Sequence, residues 1–93
     1  MRILAPMLTT LALTAAPAWA SDEDAWAVFR AEVKAACLAI AEGPGTIVVE
    51  VNPFGSQSFG AAIVTVTSEG VGTDRMICIY DKLAKVAELT VPF

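Results

Sequence analysis

Two side chains in this sequence can form a covalent cross-link, Cys37 and Cys78, and no histidine accompanies them. The pair lies far outside C-x-x-C spacing. Without an imidazole to draw off a thiol proton, a catalytic dithiol is the weaker reading. In a small exported domain an even cysteine count reads as a disulfide, and with two cysteines only one pairing exists. Such a bridge stabilises by about 4 kcal/mol in chain-entropy arithmetic. The remaining polar candidates form no constellation. Ser56 and Ser58 sit in a turn cluster without a partner base and read as turn residues. Glu50, Asp74, Asp81 and Glu88 fall near strand ends or on alternating polar positions. A carboxylate pair at glycosidase spacing stays open, although a short meander offers no obvious cleft. Gly70-Val71-Gly72 lacks the following helix that would present amides to a phosphate, so it reads as a turn. The chain is therefore expected to be no enzyme and to carry no cofactor or metal.

The compartment follows from the first 20 residues. Arg2 gives a positive start, the run from Ile3 to Thr14 is uncharged and rich in Leu and Ala, and Pro17 breaks it. Ala18-Trp19-Ala20 then has the small-x-small pattern of a cleavage site, so residues 1–20 read as a secretory signal peptide. A retained anchor is the alternative, but Pro6 and Pro17 interrupt a stretch already at the lower limit for a span. No stable membrane insertion is expected after cleavage, and the mature protein should be periplasmic or secreted. Cleavage after Ala20 removes Arg2 and leaves ten acidic residues against five basic ones in about 73 residues. That balance repels nucleic acid, and the five bases form no cluster. One domain, residues 21–93, is all this length allows, and a domain so small often needs a staple.

The elements that must place the cysteines are legible from periodicity. Over 22–42, Trp26, Phe29, Val33, Cys37 and Ile40 recur at helical spacing, with Arg30, Glu32 and Lys34 off the stripe. Ser21 is a fair N-cap, and Asp22, Glu23 and Asp24 would occupy the first turn and complement the helix dipole. Trp26 and Phe29 read as core packing. Gly43-Pro44-Gly45 ends the helix. The period then changes to two, with strands expected over 46–51, 58–67, 75–80 and 85–91. Asn52-Pro53-Phe54-Gly55-Ser56, Ser68 to Gly72 and Asp81 to Ala84 supply the turns. The fold class is α+β: one N-terminal helix packed on a four-stranded antiparallel meander, pinned by a helix-to-strand disulfide.

That bridge decides which face is which. Cys37 lies on the helix stripe, so Cys78 must face the helix, with Met76 and Tyr80 beside it. Ile77 and Ile79 must then point to the side that one helix cannot cover. If Ile47, Val49 and Val51 line the core, Val48 joins them outside. The second strand is apolar on both faces, Phe59, Ala61 and Ile63 against Ala62, Val64 and Val66, and either set could face out. Phe54 and Phe59 flank the first hairpin turn, where they either form an exposed recognition tip or fold back over the core edge.

Ile77-Cys78-Ile79-Tyr80-Asp81-Lys82-Leu83-Ala84-Lys85-Val86, a hydrophobic strand, a tyrosine-aspartate pair and a final short strand, resembles the closing pattern of the PepSY module. That module occurs in exported peptidase propeptides and in periplasmic or membrane-linked regulators. The likeness covers about 50 residues from the helix end to the C-terminus. Ala84 stands near where the family usually has glycine, and the cysteine pair is outside its pattern. The resemblance implies modulation or binding of exported proteins, with no catalytic residue to carry over. In architecture alone the layout is also similar to cystatin and the small β-lactamase-inhibitor domains, but Gln57-Ser58-Phe59-Gly60 matches cystatin's signature loop poorly, and fold alone does not confer function.

Two expectations follow. One is a binding or inhibitory module acting on another exported protein through an interface of Val48, Ile77, Ile79, Phe54 and Phe59. The other is a structural homodimer packed through the outer sheet face.

Overall fold

The computed structural model describes residues 18–93. The signal-peptide reading of residues 1–20 therefore lies outside the described residues, save for the helical 18–20. Helix α1 spans Ala18–Ile40, four residues earlier than the apolar period alone suggests. Ser21 is thus inside the helix rather than its cap, and the first turn holds no acidic residue. Alanine is the strongest helix former, and no glycine or proline interrupts the chain between Ala18 and Ser21. Cleavage after Ala20 would restore Asp22, Glu23 and Asp24 to the first turn, where their charge favours the helix. At the other end Ala41 N–H still donates to the Cys37 carbonyl (3.0 Å), and Gly43 and Gly45 then take φ of 140° and 132°. A Cβ on Gly45 would run into the Thr67 carbonyl, so only glycine can bring the chain off the helix and directly onto the sheet.

Strands β1 (Thr46–Val51), β2 (Phe59–Ser68), β3 (Gly72–Asp81) and β4 (Val86–Leu89) form one antiparallel sheet in the order β1-β2-β3-β4. Ala62 pairs with Val51 on one side and Cys78 on the other, and Cys78 in turn with Leu89. β3 begins three residues before the expected 75 because Ser68 pairs with Gly72 and Thr67 with Thr73, which zips the hairpin to its turn. β4 is shorter than expected at both ends. Lys85 takes φ 60° in the turn, and past Leu89 the Thr90 hydroxyl accepts the Ile77 N–H (2.9 Å) while Thr90 N–H donates to the Ile77 carbonyl (2.9 Å). A side chain thus replaces a ladder bond, and Pro92 has no N–H to resume it. Phe93 N–H does, reaching the Arg75 carbonyl at 2.9 Å.

The helix lies on one face only. Val33 and Cys37 from α1 pack with Ala62, Val64 and Val66 of β2 and Cys78 and Tyr80 of β3, all buried. Phe29, Ile40, Ile47, Val49, Met76 and Leu89 close around them. Cys37 and Cys78 are bonded, with Cα atoms 6.0 Å apart, a sequence separation of 41 and no exposure of either residue. Gly60 sets how close helix and sheet can come, since a Cβ there would sit 2.7 Å from Val33 Cγ2 and 3.0 Å from the Phe29 ring. Gly60 thus lets the helix come close on the side to which the Cys37–Cys78 bridge ties it. Trp26 is not part of this core. It is half-buried at the rim, between Phe29 of the helix and Phe54 of the first hairpin loop.

Candidate functional site

Antiparallel register places opposed residues on the same face, so the side away from the helix can be laid out row by row. One row reads Ala61, Ile79, Glu88 and the next Glu50, Ile63, Ile77. Beyond these lie Val48, Thr65 and Arg75 in one direction and Phe59, Asp81 and Val86 in the other. The two central strands therefore carry a block of four aliphatic side chains, Ala61, Ile63, Ile77 and Ile79, with a glutamate on each neighbouring strand. Ile77 and Ile79 are 39% and 38% exposed despite their central positions. A shallow depression of about 320 Å³ lies between Glu50, Ala61, Ile63 and Ile77. Arg75, the cation of this face, lies under the Phe93 ring with its guanidinium carbon 5.1 Å from the centroid. The C-terminal Phe93 thus stacks on the row next to the block rather than on the block itself.

Of the expected interface residues, Val48, Ile77, Ile79 and Phe59 share this face, whereas Phe54 does not. Phe54 packs edge-on against Trp26, with centroids 5.0 Å apart, and Trp26 in turn meets Phe29 at 5.6 Å. Phe54 is thus folded back to the helix side even though 54% of it remains exposed, and Phe59 alone, 44% exposed, stands on the open face. The two phenylalanines of one hairpin belong to opposite sides of the molecule. Ala61, Ile63 and Val86 join the open face without having been singled out from sequence. β2 is apolar on both sides, so its alternation carried no orientation, and only pairing with Ile77 and Ile79 supplies it.

On the helix side the Asn52–Ser58 loop is fastened rather than offered. Lys82 Nζ donates to the Ser56 carbonyl (2.6 Å) and the Phe54 carbonyl (3.4 Å), and lies over the Phe29 and Trp26 rings at 4.8 and 5.5 Å. Arg30 donates to the Pro53 carbonyl (3.3 Å) and pairs with Glu23 (3.1 Å). An ammonium between ring faces and carbonyls keeps its charge solvated by fixed dipoles, which makes Lys82 a latch between the β3–β4 turn and this loop. Beside it a groove of about 410 Å³ runs between Trp26, Phe29, Tyr80 and Lys85. Its two cations are engaged, Lys82 as above and Lys85 with Glu32 at 3.6 Å.

Two of the polar candidates, Ser56 and Asp81, serve turns, as does Asn52. Asn52 Oδ1 accepts from the Phe54 and Gly55 amides (3.2 and 2.8 Å), and Asp81 Oδ1 from those of Leu83 and Ala84 (both 2.9 Å). Ser56 N–H donates to the Phe59 carbonyl at 2.7 Å, and its hydroxyl accepts the Phe59 N–H at 3.0 Å. Each is a local side-chain-to-backbone closure of the kind that shapes a turn. Among the described residues no three side chains of metal-binding type come together, and no helix is long and apolar enough to cross a membrane.

No protein-family model, curated protein or solved structure matches this chain.

Proposed function

We propose that this protein is a small periplasmic or secreted binding module, without catalytic activity, that regulates or inhibits another exported protein by docking through the open sheet face. The observation that carries the reading is the aliphatic block of Ala61, Ile63, Ile77 and Ile79. It stands in the middle of a sheet where a solvated face ordinarily alternates to polar residues. Contiguous exposed apolar surface is costly to keep unless a partner covers it. The resemblance of residues 77–86 to the PepSY module points to the same class of role. A bridge buried in so small a domain suits an oxidising compartment.

The test is affinity capture from the native envelope extract with the oxidised protein, beside an Ile77→Thr/Ile79→Thr double variant. One stoichiometric partner, lost with the variant, supports the reading. Capture that persists with the variant overturns it. A structural homodimer is the second reading, favoured by the same face if two copies pack on each other. Light scattering separates the two, because a strict monomer at micromolar concentration excludes the dimer.

A further inference from the structure

Resting on that reading, we infer that the occupant of the open face is a basic amphipathic helix, supplied by the partner protein. The argument is one of shape and charge together. The aliphatic block is two strands wide, and the glutamates flanking it stand on β1 and β4, about 14 Å apart across the sheet at ordinary strand spacing. A helix with its side chains is about 10–12 Å across. One helix laid along β2 and β3 therefore fills the space between Glu50 and Glu88 and leaves both carboxylates beside its flanks. On the opposite face the sheet already carries one helix, α1, which touches all four strands with its Val33 and Cys37 buried against β2 and β3.

The flanking charges select the partner's sequence. A helix whose apolar stripe meets Ala61, Ile63, Ile77 and Ile79 brings the residues beside that stripe next to Glu50 on one side and Glu88 on the other. Lysine or arginine there gains two ion pairs, whereas acidic residues meet like charge. The acidic surplus of the whole chain, ten acidic residues against six basic ones, steers a cationic segment in the same direction. It also disfavours a second copy, which would bring Glu50 and Glu88 of each protomer to one interface. The depression between Glu50, Ala61, Ile63 and Ile77 is placed to receive one apolar knob of such a helix. Arg75, the one cation on this face among the described residues, stands on β3 one row beyond Ile77, where the Phe93 ring stacks on its guanidinium.

Two synthetic 18-residue peptides with the same leucine stripe, one flanked by lysines and one by glutamates, provide the probe. They are titrated into the oxidised protein as cells process it, with amide shifts followed by NMR. The lysine peptide should bind at least about tenfold more tightly, shifting the amides of Ile63, Ile77 and Ile79. Glu50→Lys/Glu88→Lys should reverse the preference, and the milder Glu50→Gln/Glu88→Gln pair should abolish it. Equal affinity for both peptides, shifts centred on α1, or a preference that survives both double variants overturns the inference. So does a dimer that dissociates on Ile77→Thr/Ile79→Thr, because the occupant is then a second copy. These outcomes separate the two proposals. A partner captured through Ile77 and Ile79 with no charge preference removes the basic helix and leaves the binding module. Persistent capture by the threonine variant removes both.

Discussion

β3 alternates Met76, Cys78 and Tyr80 toward the helix with Ile77 and Ile79 away from it, so one strand presents two faces of similar hydrophobicity to very different surroundings. On the inner face Cys78 is fully buried and Tyr80 nearly so, and Val64 beside them is shielded completely. On the outer face neighbouring isoleucines keep more than a third of their surface in water. Hydrophobic residue type alone therefore does not decide burial here. Position relative to a single helix does, and the outer set contributes little to the fold while remaining available to something else.

The largest expected effect concerns what holds the inner face together. Breaking the Cys37–Cys78 bridge should lower stability by about 4 kcal/mol and the unfolding midpoint by roughly 15 °C or more. Calorimetry of the Cys37→Ser/Cys78→Ser protein against the oxidised one reads this directly, and coincident transitions would show that packing alone suffices. Next comes Val64→Ala, which leaves a cavity under the helix and should cost about 2 kcal/mol in urea denaturation. Gly60→Ala should follow, at about 1–3 kcal/mol, because the new methyl pushes Val33 and Phe29 outward; an unchanged midpoint would mean that the helix yields freely at that contact. Lys82→Met should cost about 1 kcal/mol and speed amide exchange across the Asn52–Ser58 loop. Exchange as slow as in the parent protein would deny Lys82 its role as a latch. The smallest effect belongs to the outer face. Ile77→Thr with Ile79→Thr should change stability by less than about 1 kcal/mol in total, and a loss as large as that of Val64→Ala would collapse the distinction between the faces.

Some of this architecture is legible in the sequence alone. The helix stripe and the facing of β3 are unambiguous because each holds one decisive residue, Cys37 or Cys78, whose partner fixes its direction. β1 alternates clearly but has no such residue, and its pairing with β2 is what places Ile47, Val49 and Val51 toward the helix. β2 gave no such foothold, since Ala62, Val64 and Val66 are no more apolar than Ala61 and Ile63. One cue of size rather than hydrophobicity is present in Gly60, which no residue on the other face matches and which lies where Val33 and Phe29 approach the sheet. The strand ends were less readable because a partner sets them, as Ser68 opposite Gly72 extends β3 and the Thr90 hydroxyl truncates β4. The helix start depends on what precedes it: Ser21 and its acidic neighbours mark a beginning in a chain cleaved after Ala20, whereas in the full chain Ala18 continues the helix backward. Phe54 needed a contact, with Trp26, that no local pattern encodes, whereas Phe59 follows from its even spacing with Ala61 and Ile63.

The complete burial of both cysteines has a kinetic side. A thiolate reductant must reach a sulfur in line, and here the helix and the sheet enclose both. Native protein should therefore lose its bridge only as fast as α1 lifts from β2 and β3, so that the reduction rate in mild denaturant counts those opening events. The same enclosure sets an order during biogenesis: oxidation has to precede closure of the helix onto the sheet. A chain that folds before its thiols meet an oxidant would hide them, and would wait for its own reopening to be completed.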